Sequence, residues 1–245
     1  SVLVPFLFWH GTWFGRPLPD AELGRRLADP QGRPRRTQHA LAQIAERIVQ
    51  ADPTVRRWYP QVVTLASHPV LELRATVAWI MGQDNQSPEF HQALVRLLDD
   101  PAVLVRRNAA LSLVRFGDAR GRPELLNMLR PYTLRAAQPG LLRFRLQVDD
   151  TVNPGTLVAR IHRAPSDVVE VRSPIPGHLE ARLVAEESHV RAGDAILLLA
   201  PGPDEVWEAL RAFYLVGEAE DLPEVERFAR GVAGMPDKIQ QQARL

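Results

Sequence analysis

The sequence predicts a multidomain α+β protein in which a helical solenoid is interrupted by an all-β domain. Helical segments recur in pairs with a period of about 30 residues. A stretch rich in proline and glycine then carries apolar residues at every second position, which is typical of short strands. Helical periodicity returns after it. The predicted parts are an apolar segment at 1–17, helical repeats at 18–133, a β domain at 134–203 and a C-terminal repeat with a tail at 204–245.

Composition excludes several classes of protein. The chain has 245 residues, 45% of them hydrophobic, which is enough for one or two packed domains. The net charge of +1 creates no strong field for nucleic acid. The absence of cysteine excludes thiol catalysis, disulfides and thiolate metal sites.

The helical repeats are clearest in two segments that align without a gap. One begins at His68-Pro69 and the other at Asp100-Pro101, and each continues with an arginine and then small residues, as expected where helices cross closely. Second helices are predicted at 88–98 and 123–129. The pattern resembles HEAT repeats over about residues 29–132, and this resemblance implies an interaction scaffold.

Other helical segments extend this arrangement on both sides. Periodic apolar residues predict helices at 21–27, 35–50 and 55–67. Residues 215–225 match residues 115–125, which predicts a further repeat after the β domain. The β domain would then be an insertion, and insertions are tolerated where the two ends of an exposed connection lie close together.

The predicted β domain is internally duplicated. Val152 and Gly155 correspond to Val190 and Gly193, and each pair precedes a short apolar run. Two such copies can form a two-fold sandwich, because neither could bury its apolar face alone. The segment resembles biotinyl/lipoyl carrier domains and the barrel-sandwich hybrid of membrane-fusion adaptor proteins. Carriers present a lysine on the hairpin between the halves, but residues 162–169 contain none, so no covalent biotin or lipoate is expected.

Residues 1–15 are unusually apolar and aromatic, with Trp9, Trp13 and Phe14 among them. The stretch is too short to span a membrane by itself. It is either the end of a transmembrane segment, with indoles at the lipid boundary, or a terminal segment packed on protein. We expect a membrane-associated protein of bacterial type. The adaptor resemblance favours the extracytoplasmic (periplasmic) face, whereas Arg16, Arg25 and Arg26 favour the cytoplasmic one.

No motif in the sequence indicates catalysis, a cofactor or a metal. None of the histidines has the i, i+4 spacing of a helical metal site. The paired acids Asp99-Asp100 and Asp149-Asp150 are explained by capping and turns. The polar loop 82–88 is either a contact surface or a helix end at Gly82 followed by an N-cap at Ser87, and we favour the second interpretation.

The sequence therefore favours a non-enzymatic scaffold or adaptor that binds other protein subunits of a membrane complex. The candidate partner contacts are Trp9, Trp13, Phe14, Arg106, Arg107, His162, Arg163 and Asp167. The alternative is a nucleic-acid-binding solenoid whose arginine clusters grip phosphates. Acidic residues interrupt those arginine clusters, so we favour the scaffold or adaptor over nucleic-acid binding. A third class, an enzyme acting on a carrier domain, has no residue in its support.

Overall fold

The computed structural model describes residues 18–28, 34–164 and 166–245. Over these residues the chain has mixed α+β architecture, as predicted, with helices before and after a block of strands. The helices are α1 (Asp20–Ala28), α2 (Pro34–Val49), α3 (Tyr59–Leu65), α4 (Leu71–Met81), α5 (Pro88–Leu97), α6 (Val103–Val114), α7 (Arg122–Leu129), α8 (Pro203–Val216), α9 (Leu222–Ala229) and α10 (Asp237–Ala243). The strands are β1 (Tyr132–Arg135), β2 (Gly140–Phe144), β3 (Thr151–Val152), β4 (Leu157–Ala164), β5 (Asp167–Arg172), β6 (Gly177–Arg182), β7 (His189–Val190) and β8 (Ala195–Pro201).

Backbone packing divides the chain into two compact units. One contains the described residues up to Leu125 together with Ala212–Glu218, and the other contains the described residues of 126–211 together with Ala219–Leu245. The first unit has a continuous apolar core drawn from α1 to α6, in which Leu41, Phe90 and Leu113 are completely buried. The described strands belong to the second unit.

The two aligned segments fold into matching helix pairs, α4 with α5 and α6 with α7. Helices α4 and α6 both start two residues after the proline of their segment. The residue before each proline stabilises the same turn. Asp100 Oδ1 accepts a hydrogen bond from the Ala102 amide at 2.8 Å, and His68 Nδ1 accepts one from Val70 at 3.1 Å. The predicted repeat is therefore present in backbone and side-chain detail.

Small residues let α4 and α6 approach each other closely, as the sequence predicted. Two side chains of α6 donate hydrogen bonds to carbonyl oxygens of α4: Asn108 to Ala75 at 3.0 Å, and Ser112 to Ala78 at 2.8 Å. A Cβ atom on Gly82 would lie 2.7 Å from the Ser112 Cβ. Contacts this short leave no room for a side chain at position 82.

The helix predicted at 55–67 is divided in two. A 3₁₀ helix spans Pro53–Trp58, and Asp52 caps it by accepting a hydrogen bond from the Thr54 amide at 2.9 Å. Helix α3 then starts at Tyr59. Pro60 explains the break, because proline lacks the amide hydrogen needed to continue the preceding turn and is favoured in the first turn of a new helix.

The predicted match between residues 115–125 and 215–225 also appears in the helix bounds. A 3₁₀ turn at Ala119–Gly121 leads into α7, and another at Ala219–Asp221 leads into α9. Helix α7 covers Arg122–Leu129 and α9 covers Leu222–Ala229, an identical length. The 3₁₀ turn and the helix after the strands therefore have the same lengths as the turn and helix before them.

The strands form two antiparallel sheets of four strands, in the orders β1-β8-β6-β3 and β5-β4-β2-β7. The correspondence that matches Val152 with Val190 places β3 on β7 and the start of β4 on the start of β8. Each half of the segment, β1 to β4 and β5 to β8, therefore contributes two strands to each sheet. Within the described residues neither sheet closes into a barrel.

Backbone hydrogen bonds between the halves obey the same pseudo-symmetry. Leu179 exchanges hydrogen bonds with Asp149 and Asp150, at 2.8 and 2.9 Å. In the other half, Leu142 does the same with Glu187 and Ser188, at 3.1 and 2.9 Å. Asp149 and Glu187 both have positive φ, of 74° and 58°. The duplication in the sequence is therefore accompanied by a duplicated pattern of backbone hydrogen bonds.

The chain enters and leaves the strands at neighbouring positions. Strand β1 pairs with β8, with Tyr132 opposite Leu199 and Thr133 opposite Leu198. The strands run from residue 132 to residue 201, compared with the predicted 134–203. The first and last strands of the segment are therefore hydrogen-bonded to each other.

Candidate protein-interaction site

The arginine after each repeat proline connects one helix pair to the next. Arg74 contacts Asp100 through two hydrogen bonds, Nε to Oδ2 at 2.7 Å and Nη2 to Oδ1 at 3.1 Å. Arg74 is 13% exposed and the Asp100 side chain 5% exposed. The hydrogen bond with Asp100 raises the pKa of Arg74. Arg74 therefore stays protonated and links one helix pair to the next.

Arg106 occupies the equivalent position but uses a different acid. Its Nε donates to Glu124 Oε2 at 2.9 Å, and its Nη1 donates to the Asp100 carbonyl at 2.9 Å. Arg107 is 2% exposed, with Nε 3.6 Å from Glu124 Oε1. The expectation that Arg107 contacts a partner is therefore corrected, because its guanidinium lies inside the repeats. Arg106 also contributes mainly to repeat packing.

Three side chains of the polar loop 82–88 form hydrogen bonds with the helices around it. Asp84 accepts a hydrogen bond from the Tyr59 hydroxyl at 2.7 Å, and burial together with this contact raises the pKa of Tyr59. Asn85 donates to the Arg115 carbonyl at 2.8 Å. Ser87 caps α5 by accepting a hydrogen bond from the Phe90 amide at 3.3 Å. The helix-end interpretation is confirmed at Ser87.

The hairpin between β4 and β5 carries the three candidate contacts His162, Arg163 and Asp167. Arg163 and Asp167 form an ion pair of 2.8 Å across the turn, and their side chains are 42% and 46% exposed. His162 is half-buried on β4, opposite Val168. An exposed ion pair contributes little to stability, so its charges are free to exchange for those of a partner.

Sequence reasoning missed a row of charges on the outer face of the β5-β4-β2-β7 sheet. Arg160 lies opposite Glu170 on one side and Arg143 on the other, and Arg143 forms an ion pair with Glu187 at 3.0 Å. We call these four residues the charged row. Alternation along the strands indicates which residues face outward, but only the register reveals that Arg143 and Arg160 are neighbours.

Asp118, His91 and Asp150 form hydrogen bonds within the local structure. Asp118 accepts hydrogen bonds from His91 Nε2 at 2.7 Å and from the Arg120 amide at 2.9 Å. The Arg120 contacts hold the pKa of Asp118 well below its usual value. Asp150 accepts a hydrogen bond from Gln147 in its turn. No cluster of three or more histidine, aspartate or glutamate side chains suited to a metal occurs in the part of the chain that the structure describes.

The N-terminal contacts Trp9, Trp13 and Phe14, with the whole segment 1–17, lie outside the described residues. In the described ranges no helix has both the length and the apolar character needed to cross a membrane.

Comparisons with solved structures gave partial likenesses at low similarity. A single-chain, multi-domain long-chain acyl-CoA carboxylase aligns with 46% of this chain at 18% identity and a TM-score of 0.28. An aspartoacylase family protein from Mesorhizobium loti aligns with 56% at 16% identity and a TM-score of 0.25. The alignments cover 10% of the first protein and 51% of the second. Scores this low establish no shared fold.

A search of curated proteins found no match. The family model for HEAT repeats matches residues 59–138, which include helices α3 to α7. The matched stretch contains both repeated helix pairs and the arginine links between them. Over residues 59–138 the chain is therefore similar to HEAT repeats in sequence, and its helices there are paired as such repeats require.

Proposed function

We propose that the chain is a non-catalytic scaffold or adaptor subunit that binds other proteins in a membrane-associated assembly. HEAT solenoids present broad surfaces suited to protein contacts. The observation that carries the proposal is the exposed, charged hairpin at 162–167 with the charged row beside it. Charged residues elsewhere in the repeats, such as Arg74 and Arg106, are committed to acids of the same chain. Arg163 and Asp167 of the hairpin are each more than 40% exposed, so we place the partner contact on the strands.

The proposal includes a finer description of the strands, as a barrel-sandwich hybrid inserted between two HEAT repeats. The pseudo-two-fold strand order and the pairing of β1 with β8 support it. The hairpin between the halves lacks the lysine of biotinyl and lipoyl carriers, which favours docking over a swinging arm. A biotinyl or lipoyl mass increment on the intact protein purified from its native source would contradict this part.

Membrane association remains a prediction from the composition of residues 1–17, and the extracytoplasmic face remains the favoured side. The arrangement of the arginines favours a protein partner over the nucleic-acid alternative. Arg74, Arg106 and Arg107 face acids at 2.7 to 3.6 Å, so they are not free to grip phosphates. We expect no retardation of duplex DNA by the protein, even at low salt.

Site-specific photo-crosslinking tests the proposed function. A photoreactive residue replaces Arg163 at the hairpin, and a matched control replaces Arg25, whose side chain is 76% exposed. The full-length protein is then irradiated in native membranes and its products are identified by mass spectrometry. We expect one protein partner to be captured reproducibly from position 163 and not from position 25. Recovery of this chain alone from both positions would contradict the proposal.

A further inference from the structure

The duplication inside the strands provides an internal control for the charged row. Arg143 on β2 lies directly opposite Arg160 on β4. The equivalent positions in the other sheet are Ala181 on β6 and Leu198 on β8, which also lie directly opposite each other. A register shift lies between Leu179 and Ala181, but β6 and β8 still pair with alanine and leucine at these two positions. The arginine pair is not a requirement of the fold.

The arginine pair is also electrostatically unfavourable. Like charges directly opposite each other on neighbouring strands are destabilising. The Arg143 and Arg160 side chains are 52% and 37% exposed, and only two carboxylates of the charged row are available to them. Glu170 lies 3.5 Å from Arg160 but 2.5 Å from Arg172. Three arginines therefore share two glutamates, and Arg160 holds the weakest contact.

The surface beside the arginine pair has a depression that is large enough for a peptide side chain. An open depression of about 340 Å³ is lined by Arg160, His162, Val168 and Glu170. His162 lies between Val168 and Leu141 in the next cross-strand row, so apolar surface adjoins the positive centre. An apolar side chain of a bound peptide would contact Val168, His162 and Leu141, while acidic residues next to it in the peptide would reach Arg143 and Arg160.

We propose that the outer face of the β5-β4-β2-β7 sheet binds a short acidic segment of a partner protein, with its carboxylates bridging Arg143 and Arg160. Guanidinium groups bind carboxylates through paired, charge-assisted hydrogen bonds. Glu170 and Glu187 at the two ends of the row repel a long polyanion and select a short acidic stretch with neutral or basic flanks. The inference rests on the proposed function and names the chemistry of the partner.

Peptide binding to the full-length protein tests the inference. The probe is a fluorescent peptide with two central glutamates and serine flanks, and the control peptide has glutamines in their place. The test variant, Arg143→Ala/Arg160→Leu, carries the residues that the other sheet has at the equivalent positions. The control variant, Arg25→Ala/Arg230→Ala, removes the same charge from arginines that are 76% and 69% exposed. Anisotropy at low salt gives the affinity.

We expect the test variant to bind the acidic peptide at least about tenfold more weakly than wild type, since two charge-assisted bonds are lost. The control variant should bind as wild type does. The urea midpoint of the test variant should equal or exceed that of wild type, because the opposed charges are gone. If that variant unfolds, Arg143→Gln/Arg160→Gln takes its place.

Equal binding of the acidic peptide by wild type and test variant would overturn the inference. The inference would also be overturned if the wild type bound the glutamine peptide as tightly as the acidic peptide. A third contrary result would be displacement of the acidic peptide by a short DNA duplex added at an equal concentration of negative charges. Crosslinking of a partner at position 163 despite any of these results would leave the proposed function standing. Peptide binding with no partner captured in membranes would remove the proposed function and keep the acidic-segment site.

Discussion

Arg74 shows how one side chain holds two repeats together. Its guanidinium bonds both oxygens of Asp100 and, through Nη1, the His68 carbonyl at 2.9 Å. Replacing Arg74 with alanine leaves the Asp100 carboxylate buried and without its cation. Breaking such a pair costs about 3 kcal/mol. We expect Arg74→Ala to lower the free energy of unfolding by that order in urea titrations.

The matched control for Arg74 is Arg230→Ala, because Arg230 pairs with Glu226 at the surface with both side chains at least 60% exposed. Exposed pairs contribute about 0 to 1 kcal/mol, so this variant should unfold close to wild type. Equal losses in the two variants would mean that the buried link contributes nothing special to the repeats.

Asp118 makes stability depend on pH at the acid end of the scale. Its contacts with Arg120 and His91 lower its pKa in the folded state. A lowered folded pKa gives stability that is complete above the ordinary aspartate pKa of about 3.9 and is lost as pH falls below it. Asp118→Asn should therefore destabilise the protein strongly at pH 7 and progressively less towards pH 3. Urea midpoints across this range measure the difference, and the exposed Asp99→Asn variant is the control.

The roles of individual arginines were only partly predictable. The sequence identified Arg74 and Arg106 as equivalent repeat positions, but their acids lie 26 and 18 residues further along the chain. Arg107 follows Arg106 directly and looks equally polar in sequence, yet the helix turns it inward. Pairing across elements decides which arginines are exposed, and a single sequence does not contain that information.

At the scale of the helices, the crossing of α4 and α6 depends on Gly82. A Cβ there would lie 2.5 Å from the Ser112 hydroxyl, which itself bonds the Ala78 carbonyl. Gly82→Ala should therefore force the helices apart and cost about 1 to 3 kcal/mol. Gly202→Ala, whose Cβ would meet its nearest neighbour at 3.6 Å, should be tolerated. Urea denaturation compares the two.

A double-mutant cycle assigns the Gly82 effect to the crossing. Ser112→Gly removes the obstructing side chain, at the usual glycine cost of about 1 kcal/mol in a helix. Adding Gly82→Ala to Ser112→Gly should then cost less than Gly82→Ala alone, with only the 3.1 Å contact to the Cα of residue 112 left. Additive losses in the double variant would show that Gly82 acts through its own backbone and not through contact with Ser112.

Elements were predictable where a local signal marks them. Periodicity located the helix pairs, and the repeated valine and glycine spacing located the two β halves. The helix predicted at 55–67 is helical over 53–65, but its first part is a 3₁₀ helix, because Pro60 has no amide hydrogen for the α-helical bond to the preceding turn. Gly82 was read as a helix end, and its larger role as a close crossing depends on Ser112, which lies in the next helix pair. A local sequence pattern does not show that Gly82 and Ser112 lie in contact.

At the scale of the whole molecule, the chain combines two kinds of repetition. Helix pairs recur before and after the strands, and the strands contain their own duplication. All eight described strands bond within the two sheets, and their first and last members pair with each other. The strands therefore keep the backbone hydrogen bonds between them when the strand segment is separated from the helices. The segment should therefore fold without the helices.

We expect a fragment of residues 131–202 to fold by itself. Its core includes Leu142, Val152, Ile161, Ile196 and Leu199, all completely buried. A domain of this size without disulfides rarely exceeds about 3 to 5 kcal/mol of stability. The fragment should show a strand-type circular dichroism spectrum and a cooperative urea transition of that size. The control is a fragment that ends at residue 165 and contains only the first half. It should stay unfolded, because each half supplies only two strands of each four-stranded sheet. A disordered spectrum for 131–202 would mean that the strands depend on the helices and would count against an inserted domain.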